Sequence, residues 1–338
     1  MTTILVTGGA GFIGSHTCVV LLEAGFDVIV VDNFSNSSKE SLNRIEVITG
    51  KPVTWYEVDI CSSIDLRKVF EKHNIDAVIH FAGLKAVGES CQHPLNYYCT
   101  NLNSTLTLLQ EMSRANVSRI IFSSSATVYA SSNPIPYKES HPLGGNSPYA
   151  ETKIMNEKIL ADVFQSQSSW NISILRYFNP GGAHPSSLLG ENPTNTPNNL
   201  IPYVTQVAIG KRKQLQVFGN DYPTPDGTGV RDYVHVMDIA MGHLKALEEQ
   251  LANNHGQLEI YNLGSGKGYS VLEIVRMLEQ VSKHPIPYEI VARRAGDIAE
   301  FYADTSKIEK KLGWKASLGL ETICADAWNW QMKNPNGF

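Results

Sequence analysis

Tyr149 and Lys153 stand four residues apart in the stretch NSPYAETKIMNEKIL, residues 146–160. Ser147 is a favoured N-cap and Pro148 suits a first helical position, so a helix starts here and both side chains share one face. A phenol beside an ammonium ion is a proton carrier, because the charge is expected to draw its pKa down from about 10 toward working pH. A packed ring next to a solvated lysine would show the same spacing. Upstream, RIIFSSS ends an apolar run in three serines, which is costly for a buried strand unless the hydroxyls are bonded. Ser125, the last of them, is placed to hydrogen-bond a substrate oxygen and the Tyr149 phenol, with a turn or cap as its plainer role. Ser125, Tyr149 and Lys153 form a proton-transfer set suited to a neighbouring hydride acceptor.

The stretch VTGGAGFIGSH, between a first apolar run and a helical pattern, suggests where that acceptor sits. Gly8, Gly11 and Gly14 leave bare backbone at the turn, so a pyrophosphate can approach a helix N-terminus whose free N–H groups favour an anion. A second apolar run ends in Asp32, 18 residues beyond Gly14. A carboxylate there accepts hydrogen bonds from the ribose of NAD and repels the 2′-phosphate of NADP, although an aspartate also simply starts turns. Asp59 and Ile60, then Phe81, Ala82 and Gly83, close the next two runs, suited to adenine and the second ribose.

Those groups need a scaffold. TILVTG, DVIVVD, VTWYEVD, DAVIHFAG, RIIFSSS and ISILRYFN read as strands buried on both faces, with helices over 12–25, 64–73, 94–115 and 148–166. This alternation predicts an α/β fold with a doubly wound parallel sheet of Rossmann type, its ligands at the C-terminal strand edge. After Asn179 the texture turns rich in Pro, Gly and Asn. A dinucleotide-binding domain over 1–179 and a smaller mixed α/β C-terminal lobe over 180–338 are expected. Helices fall at 236–252, 270–282 and 320–333, and part of 230–262 is expected to return to the sheet.

Composition narrows the partners. The chain has 338 residues, 42% apolar and 18% charged, with a net charge of −5 and no basic block. It gives no electrostatic case for nucleic acid or an anionic membrane. GKRKQ at 210–214 reads as dipole complement at a helix end. No apolar run approaches the ~20 residues of a membrane span, and Met1 leads directly into TTILVTG without a basic leader. Five cysteines, an odd number without a C-x-x-C pair, suit a reducing cytoplasmic setting. The histidines form no ligand spacing, so no metal site is expected, and His80 reads as a core histidine.

Taken together, Gly8 to Gly14, Asp32, Ser125 and Tyr149-x-x-x-Lys153 resemble the extended short-chain dehydrogenase/reductase family. FAGLKAVGES, SSSATVY, LRYFNPGGAHPS, NNLIPY, FGNDYPTPDGTGVRDYVHVMD and YNLGSGKGYSV are similar, over practically the whole chain, to members that epimerise UDP-hexoses. The resemblance implies resident NAD, UDP-galactose and UDP-glucose as substrates, inversion at C4 through a 4-keto sugar, a role in galactose metabolism, and a homodimer. It adds Phe12, Ile13, Asn33, Asn36, Lys85, Asn101, Ser123, Tyr177 and Phe178 to the cofactor residues. For the nucleotide sugar it implies Asn179, Asn199, Leu200, the backbone around Gln216, Val217 and Phe218, Arg231, Arg294, Asp297 and Phe301. Thr100 stands where some relatives carry Asn. Phe301 or its neighbour Tyr302 is expected to face the hexose. A 4,6-dehydratase would carry an Asp-Glu pair after the catalytic hydroxyl, where Ala126 and Thr127 stand. A ketone or hydroxysteroid reductase would need an apolar pocket, and a non-catalytic NAD sensor would not need the intact Ser-Tyr-Lys set.

Overall fold

The computed structural model describes residues 2–193, 195–253, 255–294 and 296–338. Strand and helix alternate as β1 (Thr3–Thr7), α1 (Phe12–Glu23), β2 (Asp27–Asp32), α2 (Lys39–Thr49), β3 (Thr54–Glu57), α3 (Ser63–Lys72) and β4 (Ala77–His80). There follow α4 (Val87–Gln92), α5 (Pro94–Arg114), β5 (Arg119–Ser125), α6 (Pro148–Ser166) and β6 (Asn171–Tyr177). Local chemistry sets the boundaries. The Ser147 side chain accepts the Ala150 N–H at the start of α6, with Pro148 in the first turn. In α2, which the sequence reading did not anticipate, Ser38 caps the start and left-handed Gly50 ends it.

The second half runs β7 (Asn179–Gly181), α7 (Leu200–Ala208), β8 (Leu215–Phe218), β9 (Val230–His235), α8 (Val236–Ala252) and β10 (Gln257–Leu263). It continues with β11 (Gly268–Ser270), α9 (Val271–Ser282), β12 (Tyr288–Val291), β13 (Glu300–Phe301), α10 (Ser306–Leu312) and α11 (Leu320–Lys333). The central sheet has seven parallel strands in the order β10-β6-β5-β4-β1-β2-β3. Strand order reverses beside β1, which opens a crevice at the C-terminal ends of β1 and β4. Alternate residues serve opposite faces: Ile4, Val6, Val28 and Val30 pack with α1 and α8, whereas Leu5, Ile29 and Val31 pack with α3, α5 and α6.

One expectation changes. β3 is an edge strand, with no further strand beside it among the described residues, and is mostly exposed rather than buried on both faces. Part of 230–262 returns to the sheet as β10 beside β6, while β9 joins β7, β11 and β13 in a separate small sheet. Residues 236–263 therefore belong physically to the larger body, with α8 packed in the core around α1. The Pro- and Gly-rich stretch after Asn179 is more ordered than it reads, because β7 pairs with β9 and Ala183 bridges Gly190. His80 is a satisfied core residue, bonded to Thr7 Oγ1 (2.7 Å) and Thr105 Oγ1 (3.2 Å). Burial lowers its pKa to about 3.

α6 is fastened to the sheet by a buried ion pair. Glu157 accepts from Arg176 Nε at 3.0 Å and Nη2 at 2.6 Å, and Ser124 Oγ donates to the same carboxylate at 2.5 Å. Both charged side chains are at most 5% exposed. Arg176 also donates to the Glu139 carbonyl at 3.1 Å and lies over the Tyr129 ring. Removing one partner of such a pair strands a desolvated charge, which costs about 3–5 kcal/mol. Glu157→Gln should lower unfolding free energy by roughly that amount in equilibrium urea denaturation, and Glu157→Gln combined with Arg176→Met by clearly less. Equal losses in the single and double variants would contradict this account.

Candidate active site

The three proton-transfer residues converge at the end of β5 and the start of α6. Tyr149 is buried at the start of α6, and the Ser125 hydroxyl opposes the effect of burial on its phenol. Ser125 Oγ in turn accepts Thr127 Oγ1 at 2.9 Å and the Thr127 N–H at 3.2 Å. Lys153, one turn along α6, donates to the Ser123 carbonyl at 2.7 Å and lies 5.9 Å from the Tyr149 ring centroid. Helical spacing thus puts phenol and ammonium on one face, as expected. The expected electrostatic effect is different. Burial holds the Tyr149 phenol above its ordinary pKa, opposed by Ser125. Burial also pulls Lys153 down to about 8, opposed by the Glu157 carboxylate four residues on. Burial thus disfavours the charged form of both groups.

The crevice beside β1 fits a dinucleotide. A Cβ on Gly14 would stand 2.3 Å from the Gly8 carbonyl oxygen, and one on Gly8 2.8 Å from the Ala82 nitrogen. Gly11 caps α1 without a side chain, and the first turn holds no acid, so the N–H groups of Phe12, Ile13 and Gly14 face the crevice without a side-chain cap. Asp32 is buried and already organises its surroundings. It accepts the Ala10 N–H (3.0 Å) on one oxygen, and the Phe34 N–H (2.9 Å) and Ser37 Oγ (2.9 Å) on the other. A carboxylate has about four acceptor directions, so one remains for a ribose hydroxyl. Asn33, Asn36 and Asp59 are exposed around it, Ile60 is buried, and Phe81, Ala82 and Gly83 line the neighbouring strand end.

Not every expected cofactor residue offers a free group. The Asn101 amide is committed to the Leu84 N–H (2.8 Å), the Leu84 carbonyl (3.0 Å) and Thr152 Oγ1 (3.0 Å). It therefore braces the Gly83–Lys85 loop. Tyr177 bonds His243 Nε2 at 2.6 Å within the core, and Ser123 contributes its carbonyl to Lys153. Phe178 is buried in an aromatic cluster. Lys85 is exposed and lies 3.3 Å from Glu191 Oε1.

The small lobe carries the remaining residues. Arg231 Nη1 donates to the Val230 (2.8 Å) and Ile298 (2.9 Å) carbonyls, with Nη2 3.6 Å from Asp297. Arg294 Nε donates to Asp297 at 3.0 Å, and its guanidinium stacks 4.7 Å from the Phe218 centroid. Asp297 therefore joins the two arginines. Val217 is buried in the small-lobe core, so only its backbone is available, while Gln216 is exposed. Asn179 donates to the Asp232 carbonyl at 3.1 Å, and Asn199 precedes α7, whose Leu200 packs on the small-lobe core. Phe301 joins an aromatic cluster: its ring meets Tyr137 at 4.5 Å and Phe178 at 5.1 Å, in the cluster that holds Ala126. Tyr302 turns toward Gly268.

Several supporting residues escaped the sequence reading. Glu157 could have been found as the i+4 neighbour of Lys153. Asp232 had no local signal: wholly buried in β9, it accepts from Ser265 N (2.7 Å) and Oγ (2.6 Å), Gly266 N (3.0 Å) and Ala303 N (3.1 Å). It thereby ties the strand of Phe301 to that of Arg231, and burial raises its pKa to about 6. Among the described residues there is no cluster of three or more potential metal ligands, and no helix is long and apolar enough to cross a membrane.

The chain is 56% identical over 335 residues to a UDP-glucose 4-epimerase of Bacillus subtilis (strain 168), spanning 99% of this chain and 98% of that one. It superposes on a UDP-glucose 4-epimerase from Bifidobacterium longum solved with NAD+ and UDP, with a TM-score of 0.96, 55% identity and 100% of both chains covered. It also matches the UDP-glucose-4-epimerase from Stenotrophomonas maltophila with bound NAD and formylated UDP-arabinopyranose, at a TM-score of 0.97, 44% identity and 99% of both chains. A broader family model, described as GDP-mannose 4,6 dehydratase, matches residues 5–327. With likeness of this extent along both the sheet and the small lobe, the chain belongs to the UDP-glucose 4-epimerase family of extended short-chain dehydrogenase/reductases.

Proposed function

We propose that the protein interconverts UDP-galactose and UDP-glucose by inverting C4 of the hexose with a tightly held NAD. The observation that carries this reading is the Ser125–Tyr149–Lys153 set at the end of β5 and the start of α6, with Tyr149 and Lys153 buried and the Lys153 ammonium 5.9 Å from the Tyr149 ring centroid. Tyr149 takes the proton of the sugar 4-hydroxyl and later returns it. Ser125 holds the sugar oxygen and the phenol in line, and Lys153 stabilises the phenolate. NAD+ held by the glycine turn and Asp32 would supply a hydride acceptor regenerated each turnover, and a positive charge on its nicotinamide ring. The 4-keto sugar presents its other face while Arg231, Arg294, Asn179, Asn199, Asp297 and the backbone near Gln216 and Phe218 anchor UDP.

A dehydratase needs an added acid and base next to the catalytic hydroxyl, and here buried Ala126 and Thr127, already bonded to Ser125, occupy those positions. The larger body, 1–179 with 236–263, holds the cofactor, and the rest forms the substrate lobe. α5 and α6 expose Leu95, Leu106 and Met155, the apolar side chains through which a second copy would form a homodimer. A cytoplasmic setting fits five free cysteines, two of them exposed.

Purified protein should convert UDP-galactose to UDP-glucose without added cofactor; a requirement for stoichiometric NAD would overturn the reading. Tyr149→Phe should lower kcat at least ~100-fold with UDP affinity retained. Lys153→Ala should also shift the activity profile to higher pH, because removing a cation raises the phenol pKa. An unshifted profile would remove Lys153 from that role.

Asp32→Ala should weaken NAD retention and relax exclusion of NADP, read from the dinucleotide released on denaturation. NADP recovered from unsubstituted protein would contradict the charge argument.

Phe301 fills volume that a 2-acetamido group would need. Overpacking costs about 1–3 kcal/mol, or about 5- to 150-fold in rate. UDP-N-acetylglucosamine should therefore be a poor substrate, and Phe301→Cys should improve it selectively. Comparable kcat/KM for plain and acetylated sugars in the unsubstituted enzyme would refute this.

A further inference from the structure

Lys39 and Glu57 lie outside every role assigned above, yet they stand beside the carboxylate that the dinucleotide reading turns toward the adenosine ribose. Asp32 at the end of β2 and Glu57 at the end of β3 are register partners in adjacent parallel strands, so their side chains share one face of the sheet. Trp55 is on that face too, two residues earlier and opposite Val30. Asp32 Oδ1 accepts the Phe34 N–H at 2.9 Å, and Phe34 adopts a left-handed backbone (φ 56°), which bulky residues rarely take. The Phe34 ring then meets Trp55 edge-on, with centroids 5.6 Å apart. The Lys39 ammonium lies 5.2 Å from each ring centroid and 2.6 Å from Glu57 Oε2.

An exposed ion pair of this kind adds little to stability: Lys39 and Glu57 keep 50% and 57% of their side-chain surface in solvent. What the pair fixes is the resting place of a cation. Ser37, two residues before Lys39, donates to Asp32 Oδ1 at 2.9 Å, so Lys39 is rooted next to the ribose-facing carboxylate. A 2′-phosphate on that ribose would call for such a cation. The other attractions of α2 are already spent. Ser38 accepts the Glu40 N–H at the helix start, and Arg44 is bound to Glu40, the Leu188 carbonyl and Asn334. We infer that Glu57 is a specificity-determining residue for the cofactor, because it holds the Lys39 ammonium over the Phe34 and Trp55 rings and so keeps it from neutralising the 2′-phosphate of NADP. This rests on the NAD-binding reading above, in which Asp32 meets the ribose. Asp32 repels the phosphate, and Glu57 withholds the charge that would offset the repulsion.

The test starts from Asp32→Ala, so that the aspartate's own repulsion is absent. Each variant is equilibrated with an equimolar mixture of NAD+ and NADP+, freed of unbound dinucleotide and denatured. The released NADP:NAD ratio is measured, with the melting temperature recorded alongside. At low ionic strength, adding Glu57→Gln should raise that ratio about fivefold, the worth of one exposed ion pair. The gain should shrink to within about twofold in ~1 M salt, where the Debye length is about 3 Å. It should also disappear when Lys39→Met is added, since the cation being released is gone. Glu57→Ser should reproduce Glu57→Gln and serves in its place if that variant folds poorly. An unchanged ratio, or the same gain with Lys39→Met present, would overturn the inference while leaving NAD as the resident cofactor. NADP released by the unsubstituted protein as readily as NAD would overturn the reading of Asp32 and the inference with it.

Discussion

Glu157 and Arg176 meet in the interior as a bidentate pair, joined by the Ser124 hydroxyl, and through them α6, β5 and β6 are fixed to one another. Desolvating two charges is expensive, and their attraction offsets this only when geometry is good and the remaining donors are used. Both conditions hold, since Arg176 also reaches the Glu139 carbonyl and the Tyr129 ring. The consequence is chemical as well as mechanical. Glu157 is one turn beyond Lys153, so the group that fastens the helix also supports the charge of the buried lysine. Tyr149, a turn earlier, takes its distance from Ser125 from the same fastening.

The rest of the site repeats this use of internal carboxylates as fixed reference points. Asp32 gathers the glycine loop and the turn after β2 before any ribose is considered. Asp232 gathers the Ser265–Gly266 turn and the chain after Phe301 onto β9. Asp297 holds Arg231 and Arg294 together. Asp232 and Asp297 spend their oxygens on these donors and set geometry, whereas Asp32 keeps one acceptor direction. At the end of β1, Gly8 and Gly14 pack backbone against backbone with no room for a Cβ, whereas the rings of Tyr137, Phe178 and Phe301 pack together beside Ala126.

Tyr149 and Lys153 show how burial acts on the site. A buried phenol with a raised pKa is a poor base, and the nearest cation is partly neutralised by its own burial. The same burial thus draws both groups toward their neutral forms.

The sequence by itself determined the elements that local forces control. The apolar runs became β1, β2, β4, β5 and β6, the caps at Ser147 and Pro148 started α6, and helical spacing alone put Tyr149 and Lys153 on one face. Glycine spacing was enough to mark the crevice, because a missing Cβ is a property of the residue and not of its surroundings. What only the tertiary structure decided were contacts between residues far apart in the chain. β10 closes the sheet beside β6, Asp232 receives donors from residues 33 to 71 positions away, Phe301 rather than Tyr302 joins the aromatic cluster, and Asn101 is spent on the Gly83–Lys85 loop. The pKa of Tyr149 belongs to the same class. Spacing fixed which groups were neighbours, but the sign of the shift came from desolvation, and burial is decided by the whole fold.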